Sequence, residues 1–269
     1  YNAVGGSGTG DQPHLQLMGT YNLNSQQSLI GFWTNLYRGV YRSNIVVNRT
    51  PGIEGMSKEK KTRIISEARF LRAFYYHILW KFWGSIPYYT VNPNGAEVGY
   101  IVPQLTEDEV YEKIMEDLDA ATAPGALPKA VAMTEVGRAN RYAAYMLRAD
   151  VVMLKGDESR YASVLEQLRE TINSGIYDLT PKFEDIWTDK GEWNCESIFE
   201  INYSDDPSNR TWGDPLAPGG TVFPVFLGPD SYKGKRFHSE GYGFGPVSPA
   251  LKAVYEPGDL RRDATIMDF

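Results

Sequence analysis

The sequence predicts a mainly α protein: stacked antiparallel helix pairs that carry a small β element and long irregular loops. Three observations support this. Apolar residues recur at alternating steps of four and three along successive segments between residues 29 and 175, the spacing that lines one face of a helix. Short turn signals separate these segments, which places successive helices antiparallel. After Gly175 the composition shifts to Gly, Pro, Asp and aromatic residues without a helical period.

Residues 1–28 read as irregular. Gly5-Gly6-Ser7-Gly8-Thr9-Gly10 is loop chemistry, and Pro13 among polar neighbours argues against an early helix. The first helix is predicted over residues 29–48, with Trp33, Tyr37, Val40, Asn44 and Val47 in one stripe, and Pro51-Gly52 ends it. The second runs over residues 57–83, with Ile64, Ala68, Leu71, Tyr75, Ile78 and Phe82 in line. Phe70, Phe74 and Trp80 widen its apolar face, so it is expected to be buried on more than one side. Gly84 stops it and Ile86-Pro87-Tyr88-Tyr89 leaves in extended form.

Thr106-Glu107-Asp108-Glu109 has the form of a capping box, with acids where the helix dipole favours them. Val110, Ile114, Leu118 and Ala121 carry that helix to Ala123-Pro124. Residues 140–155 and 158–173 form the last pair, turned at Gly156-Asp157 and closed by Ser174-Gly175. This pair has a degraded tetratricopeptide pattern, with small Ala149 where backbones cross and small Ala162 opening the return helix. Residues 198–203 alternate as a short strand, residues 204–246 form a loop too long for a plain connector, and residues 248–255 form a final short helix.

Composition narrows the function. With 27 basic against 34 acidic residues, net −7, and no local basic cluster beyond Lys58 to Arg63, the chain repels phosphate backbones, which argues against nucleic acid. A single cysteine, Cys195, allows neither an internal disulfide nor a thiolate metal site. No apolar run is long enough for a membrane span. The chain opens on Tyr1 without a secretory segment, so any export signal or lipid attachment lies upstream of this sequence, and its absence here carries no information. No cofactor is expected. The Gly6-x-Gly8-x-Gly10 run lacks the strand and helix that a phosphate cradle needs.

His14, His77 and His238 show no paired ligand spacing, so no metal site is predicted. His77 reads as a packed helical side chain, whereas His14 and His238 sit in loops. Asp205-Asp206-Pro207-Ser208-Asn209 reads as a turn rather than a cation loop. No acid stands out as a proton donor, so no catalytic residue is predicted. Asn44 on an apolar stripe needs buried partners, with neighbouring backbone the obvious source. Arg69 and Arg72 read as ion-pair or interface groups.

The functional signal is the crowd of rings outside the helices: Trp187, Trp193, Tyr203, Trp212, Phe226, Tyr232, Phe237, Tyr242 and Phe244. A flat ring beside amides and carboxylates suits the apolar face and hydroxyl rim of a sugar. The candidate ligand-binding residues are therefore Trp212, Tyr232, Asn209, Arg210, Asp214 and Trp193, with His14 and Asp11 from the first loop. Trp187 and Tyr203, next to the predicted strand, are expected to be interior filler.

Several segments carry a family likeness. Trp33-x3-Tyr37-x2-Val40-x3-Asn44 resembles the first repeat helix of SusD/RagB proteins, and Glu67-Ala68-Arg69-Phe70-Leu71-Arg72-Ala73-Phe74-Tyr75-Tyr76 followed by Phe82-x-Gly84-x-Ile86-Pro87 is similar to that family's most recognisable segment. In matching order come Gly137-Arg138-Ala139, Leu154-x-Gly156-Asp157, Ile172-Asn173-Ser174-Gly175-x-Tyr177-x-Leu179, Glu196-Ser197-Ile198-Phe199-Glu200 and Asp259-Leu260-Arg261-Arg262-Asp263-Ala264-Thr265-Ile266. The resemblance implies an α-α superhelix of tetratricopeptide type. It implies one SusD-like domain over residues 1–269, with helix pairs at 29–175 and ligand loops at 176–246, as the first portion of a longer protein. It also implies a lipid-anchored surface protein of the outer membrane that binds oligosaccharide and serves a SusC-type TonB-dependent transporter. The RagB branch implies a peptide cargo instead. A glycoside hydrolase and a plain scaffold for protein partners are the readings from other classes.

Overall fold

The computed structural model describes residues 10–11, 13–27, 29–93, 102–203, 223–230, 241–245 and 247–266. In chain order its elements are α1 (Pro13–Gly19), α2 (Ile30–Arg49), α3 (Lys58–Trp83), β1 (Ile86–Pro87), β2 (Gln104–Leu105), α4 (Glu107–Thr122), α5 (Arg141–Lys155), α6 (Tyr161–Ile172), α7 (Phe223–Leu227), α8 (Pro249–Val254) and α9 (Arg261–Thr265), with short 3-10 turns between. The chain divides into two compact units. One takes in Phe32–Thr180 and Gly191–Ile201, and the other takes in Tyr1–Gly31, Pro181–Lys190 and Asn202–Phe269.

The first of these is a helical stack in which α3 packs on α4, α4 on α5 and α5 on α6. Local chemistry fixes several of the boundaries. Ser57 caps α3 by accepting from the Lys60 N–H, and Gly84, at φ 66°, closes it with its N–H on the Trp80 carbonyl. The capping box of α4 is complete, with the Thr106 hydroxyl on the Glu109 N–H and the Glu109 carboxylate on the Thr106 N–H. Asn140 caps α5, and Gly156 ends it in the left-handed region. Residues 158–160, predicted as helix, form a 3-10 turn before α6 begins.

The core of this unit is built from Val40, Phe70, Ala73, Tyr76, Leu79, Ile114, Leu118, Ala144, Val151 and their neighbours. Burial runs round much of α3, as its ring-rich sequence predicts, but Phe82 at the end of the predicted stripe is 50% exposed. Within the core lies a polar knot. Asn44, fully buried, donates to the Tyr89 carbonyl at 3.2 Å and to Asn92 Oδ1 at 3.1 Å. Arg72 donates to Asn44 Oδ1 at 2.8 Å and grips the Asp117 carboxylate twice, at 2.7 and 2.6 Å. The extended segment after α3 is thereby sewn to α2 and α3. Ile86 also pairs with Leu105, and Pro87 with Gln104, in a two-residue antiparallel ladder.

Three expectations need correction. Pro13 opens α1 rather than preventing a helix, because the N–H that proline lacks would have no intrahelical partner in a first turn. Residues 198–203 form no strand. Their backbone has no ladder partner among the described residues, and the segment is held instead by Phe199 against Phe70 and by the Asn140 amide donating to the Ile198 carbonyl. Trp187 and Tyr203 are therefore not filler between helices and a strand layer: they are 65% and 61% exposed.

Candidate functional site

The helical unit carries a cleft of about 230 Å³ beside Trp193, lined on one side by residues 130–140 and on the other by Ile176, Tyr177 and residues 193–200. Its walls are set from the backbone upward. Trp193 adopts a left-handed φ of 54°, which costs an ordinary side chain on the order of 1–2 kcal/mol. It is held there by Glu200, whose carboxylate accepts the Trp193 N–H at 3.0 Å and the Ser197 hydroxyl at 2.5 Å. The indole lies against Gly137, where an added methyl group would sit 3.1 Å from the ring. Gly137 is itself left-handed, at φ 87°, so two unusual backbone positions meet at one contact.

A closed ring of ion pairs clamps the Gly137 side of the cleft. Arg63 bonds Glu67 and Glu135, and Arg138 bonds the same two carboxylates, at 2.7–3.1 Å. Hydrogen bonding to Arg63, with both guanidinium charges adding, holds the Glu135 carboxyl below the usual range. From the same side Asn140 donates to the Tyr177 hydroxyl at 3.1 Å, and burial pushes that phenol's pKa up, so it stays a neutral donor. Asn194 uses its side-chain oxygen on the Glu196 N–H at 2.8 Å, which leaves its NH2 as a donor. Cys195, exposed, lies on the rim. The cleft is therefore lined by one indole together with amide, phenol, guanidinium and carboxylate groups.

In the other unit, part of the ring-rich region is built as a backbone clasp. The N–H groups of Gly241, Tyr242, Gly243 and Phe244 donate to the carbonyls of Pro229, Val225, Gly228 and Phe226 at 2.8–2.9 Å. Only glycine fits at 241, since a Cβ there would lie 2.4 Å from the Gly228 backbone. Phe226 meets Phe244 edge-on at 5.0 Å and Tyr242 at 6.1 Å. Phe244 is buried filler, whereas Tyr242 is 45% exposed. Trp187 ends the 3-10 turn Phe183–Trp187, edge-on to Phe183 at 6.1 Å.

Among the predicted ligand residues, Trp193 lines the cleft. Asp11 and His14 belong to the other unit and are half-buried, with His14 in the first turn of α1 rather than in a loop. Trp212, Tyr232, Asn209, Arg210 and Asp214, like His238, lie outside the described residues. Gly137, Asn140, Tyr177 and Glu200 were not read as site residues. Each sits in a segment noticed for another reason, and no spacing rule links residues 137, 177 and 193. His77 is buried, with Nε2 on Asp150 at 2.7 Å. Among the described residues no group of His, Cys, Asp and Glu is arranged to hold a metal ion, and no helix is long and apolar enough to cross a membrane.

A helical-repeat frame that displays fixed rings beside hydrogen-bonding groups matches known proteins at this point. Residues 10–153 match the SusD-like family described as "Starch-binding associating with outer membrane", and the chain belongs to that family. Surface glycan-binding protein A from Bacteroides fluxus is 37% identical, with a TM-score of 0.88 over 97% of this chain and 55% of that one. Surface glycan-binding protein A from Bacteroides thetaiotaomicron, in complex with laminarihexaose, is 36% identical with a TM-score of 0.88, covering 97% of this chain and 54% of that one. SusD-like protein P25 of Formosa agariphila is 26% identical over 232 residues, 83% of this chain and 42% of that protein. The chain thus spans about half the length of the relatives it matches.

Proposed function

We propose that this chain captures a β-glucan of the laminarin type and performs no chemistry on it. The observation that carries this reading is the likeness, over 97% of the chain, to a surface glycan-binding protein in complex with laminarihexaose. The geometry supports it. Trp187 and Tyr242 are exposed rings on short turns held by backbone hydrogen bonds, and the half-buried Trp193 is held through its N–H by Glu200, so stacking on the apolar face of a pyranose costs little side-chain ordering. Neighbouring amides and carboxylates meet the hydroxyl rim.

In this reading Trp212, Tyr232, Asn209, Arg210 and Asp214, with Trp193, His14 and Asp11, contact the ligand. A lipid anchor upstream of Tyr1 holds the protein at the outer-membrane surface. The captured glycan then passes to a SusC-type TonB-dependent transporter. Family membership supports the placement at the outer membrane, since the family is described as associating with it.

Intrinsic tryptophan fluorescence tests the proposal. Laminari-oligosaccharides are expected to shift the signal saturably, oligopeptides to leave it unchanged, and no new reducing ends to appear. A response to peptides alone would transfer the cargo to the peptide class, and steady release of reducing ends would make the protein an enzyme.

A further inference from the structure

We propose that the Trp193 cleft of the helical unit is a glycan subsite in its own right, sized for a single sugar residue, a chain end or a one-residue branch. This rests on the reading of the protein as a glycan binder and deepens it, by giving Trp193, one of the proposed ligand contacts, a subsite of defined size. At about 230 Å³ the cleft falls below the roughly 300–1,000 Å³ of pockets that hold drug-sized ligands, so a single ring is what its interior would seat. One wall is a flat indole. The remaining lining supplies the Tyr177 hydroxyl, the Asn194 amide, Arg138 and the Glu200 carboxylate, a mixture that fits a hydroxyl-bearing ring better than an apolar or singly charged ligand, while Asn140 spends both amide protons on holding Tyr177 and Ile198 in place.

The cleft is preformed rather than incidental. Trp193 occupies a left-handed backbone position that tryptophan rarely adopts, and such strain persists only where the surroundings fix it. Here the Glu200 carboxylate fixes the backbone and Gly137 leaves room for the ring. Gly137 belongs to a turn whose flanking residues, Glu135 and Arg138, join the four-membered ion-pair ring to Arg63 and Glu67 of α3. The indole is therefore stationed relative to the helical frame before any ligand arrives. Gly137 is a positioning residue: its lack of a side chain sets where the indole lies.

The single cysteine provides the test, because Cys195 is exposed and lines the same cleft. Alkylation of Cys195 by iodoacetamide, followed by mass spectrometry with and without laminarihexaose, is expected to slow in proportion to site occupancy. In parallel, Trp193→Ala is expected to weaken laminarihexaose binding about three- to tenfold, the scale of one ring contact, and Trp193→Phe to restore part of it. Gly137→Ala keeps the indole but displaces it, and is expected to weaken binding in the same direction. Circular dichroism confirms that each variant is folded. If laminarihexaose binds the unmodified chain while Cys195 reacts at its free rate and Trp193→Ala binds normally, the subsite is refuted and the glycan reading stands. If laminarihexaose does not bind the unmodified chain at all, both fall together.

Discussion

Arg72 and Asp117 show most directly what holds the helical unit together. Their side chains are 4% and 3% exposed and meet through two hydrogen bonds, so removing one partner strands a charge in the core. Asp117→Ala is expected to cost about 3–5 kcal/mol in urea unfolding, whereas replacing both with apolar residues of similar volume recovers most of that loss. A loss under about 1 kcal/mol for the single variant would contradict this role. His77 sets a pH dependence. Burial lowers its pKa, and this outweighs the Asp150 carboxylate, which is 54% exposed and shared with Lys81. The unfolded chain takes up a proton near pH 6.5 and the folded one only further down, so stability is full above that pH and falls as pH drops through it. Chemical unfolding at pH 7.5 and 5.5 is expected to show this loss, and His77→Gln to reduce it. The sequence marked Asn44 and His77 as structural because each falls within an apolar helical run, and Arg72 as an ion-pair or interface group. It did not mark Asp117 or Asp150 as their partners, which lie 45 and 73 residues away, beyond any local spacing rule.

At the scale of elements, boundaries were legible wherever a side chain or a glycine does the capping. Ser57, the Thr106–Glu109 box, Asn140 and Gly156 all sit at the ends they predict. Thr106→Ala is expected to lower the unfolding free energy by about 1 kcal/mol. Gly156→Ala, at φ 71° with open space around it, is expected to lower it by about 1–2 kcal/mol through backbone strain alone. Thermal or urea unfolding measures both. Elements that depend on a distant partner were less legible. The alternation at residues 198–203 resembles a strand, yet a strand needs a neighbour, and this segment spends its Phe199 ring on Phe70 and its Ile198 carbonyl on Asn140. The Trp193 cleft was missed for the same reason. Its walls come from the turn before α5 and the segment after α6, brought together by packing and not by sequence proximity.

For the whole molecule, the mainly α repeat class was readable from period and turn chemistry, and the family from the ordered segments between Trp33 and Ile266. The proposed ligand class was suggested only in kind, by rings crowded among Gly, Asn and Asp. Burial of single rings was not legible: Trp187, expected as interior filler, is 65% exposed. A bound glycan stabilises only the folded state, so laminarihexaose at a hundred times its Kd is expected to raise unfolding free energy by about 2.7 kcal/mol. The most direct measurement is calorimetric titration of the chain with laminarihexaose, followed by chromatography of the recovered sugar. The prediction is a saturable exothermic isotherm and sugar recovered at its original length. Absence of binding heat at millimolar sugar, or recovery of shortened chains, would contradict noncovalent glycan capture on a helical frame.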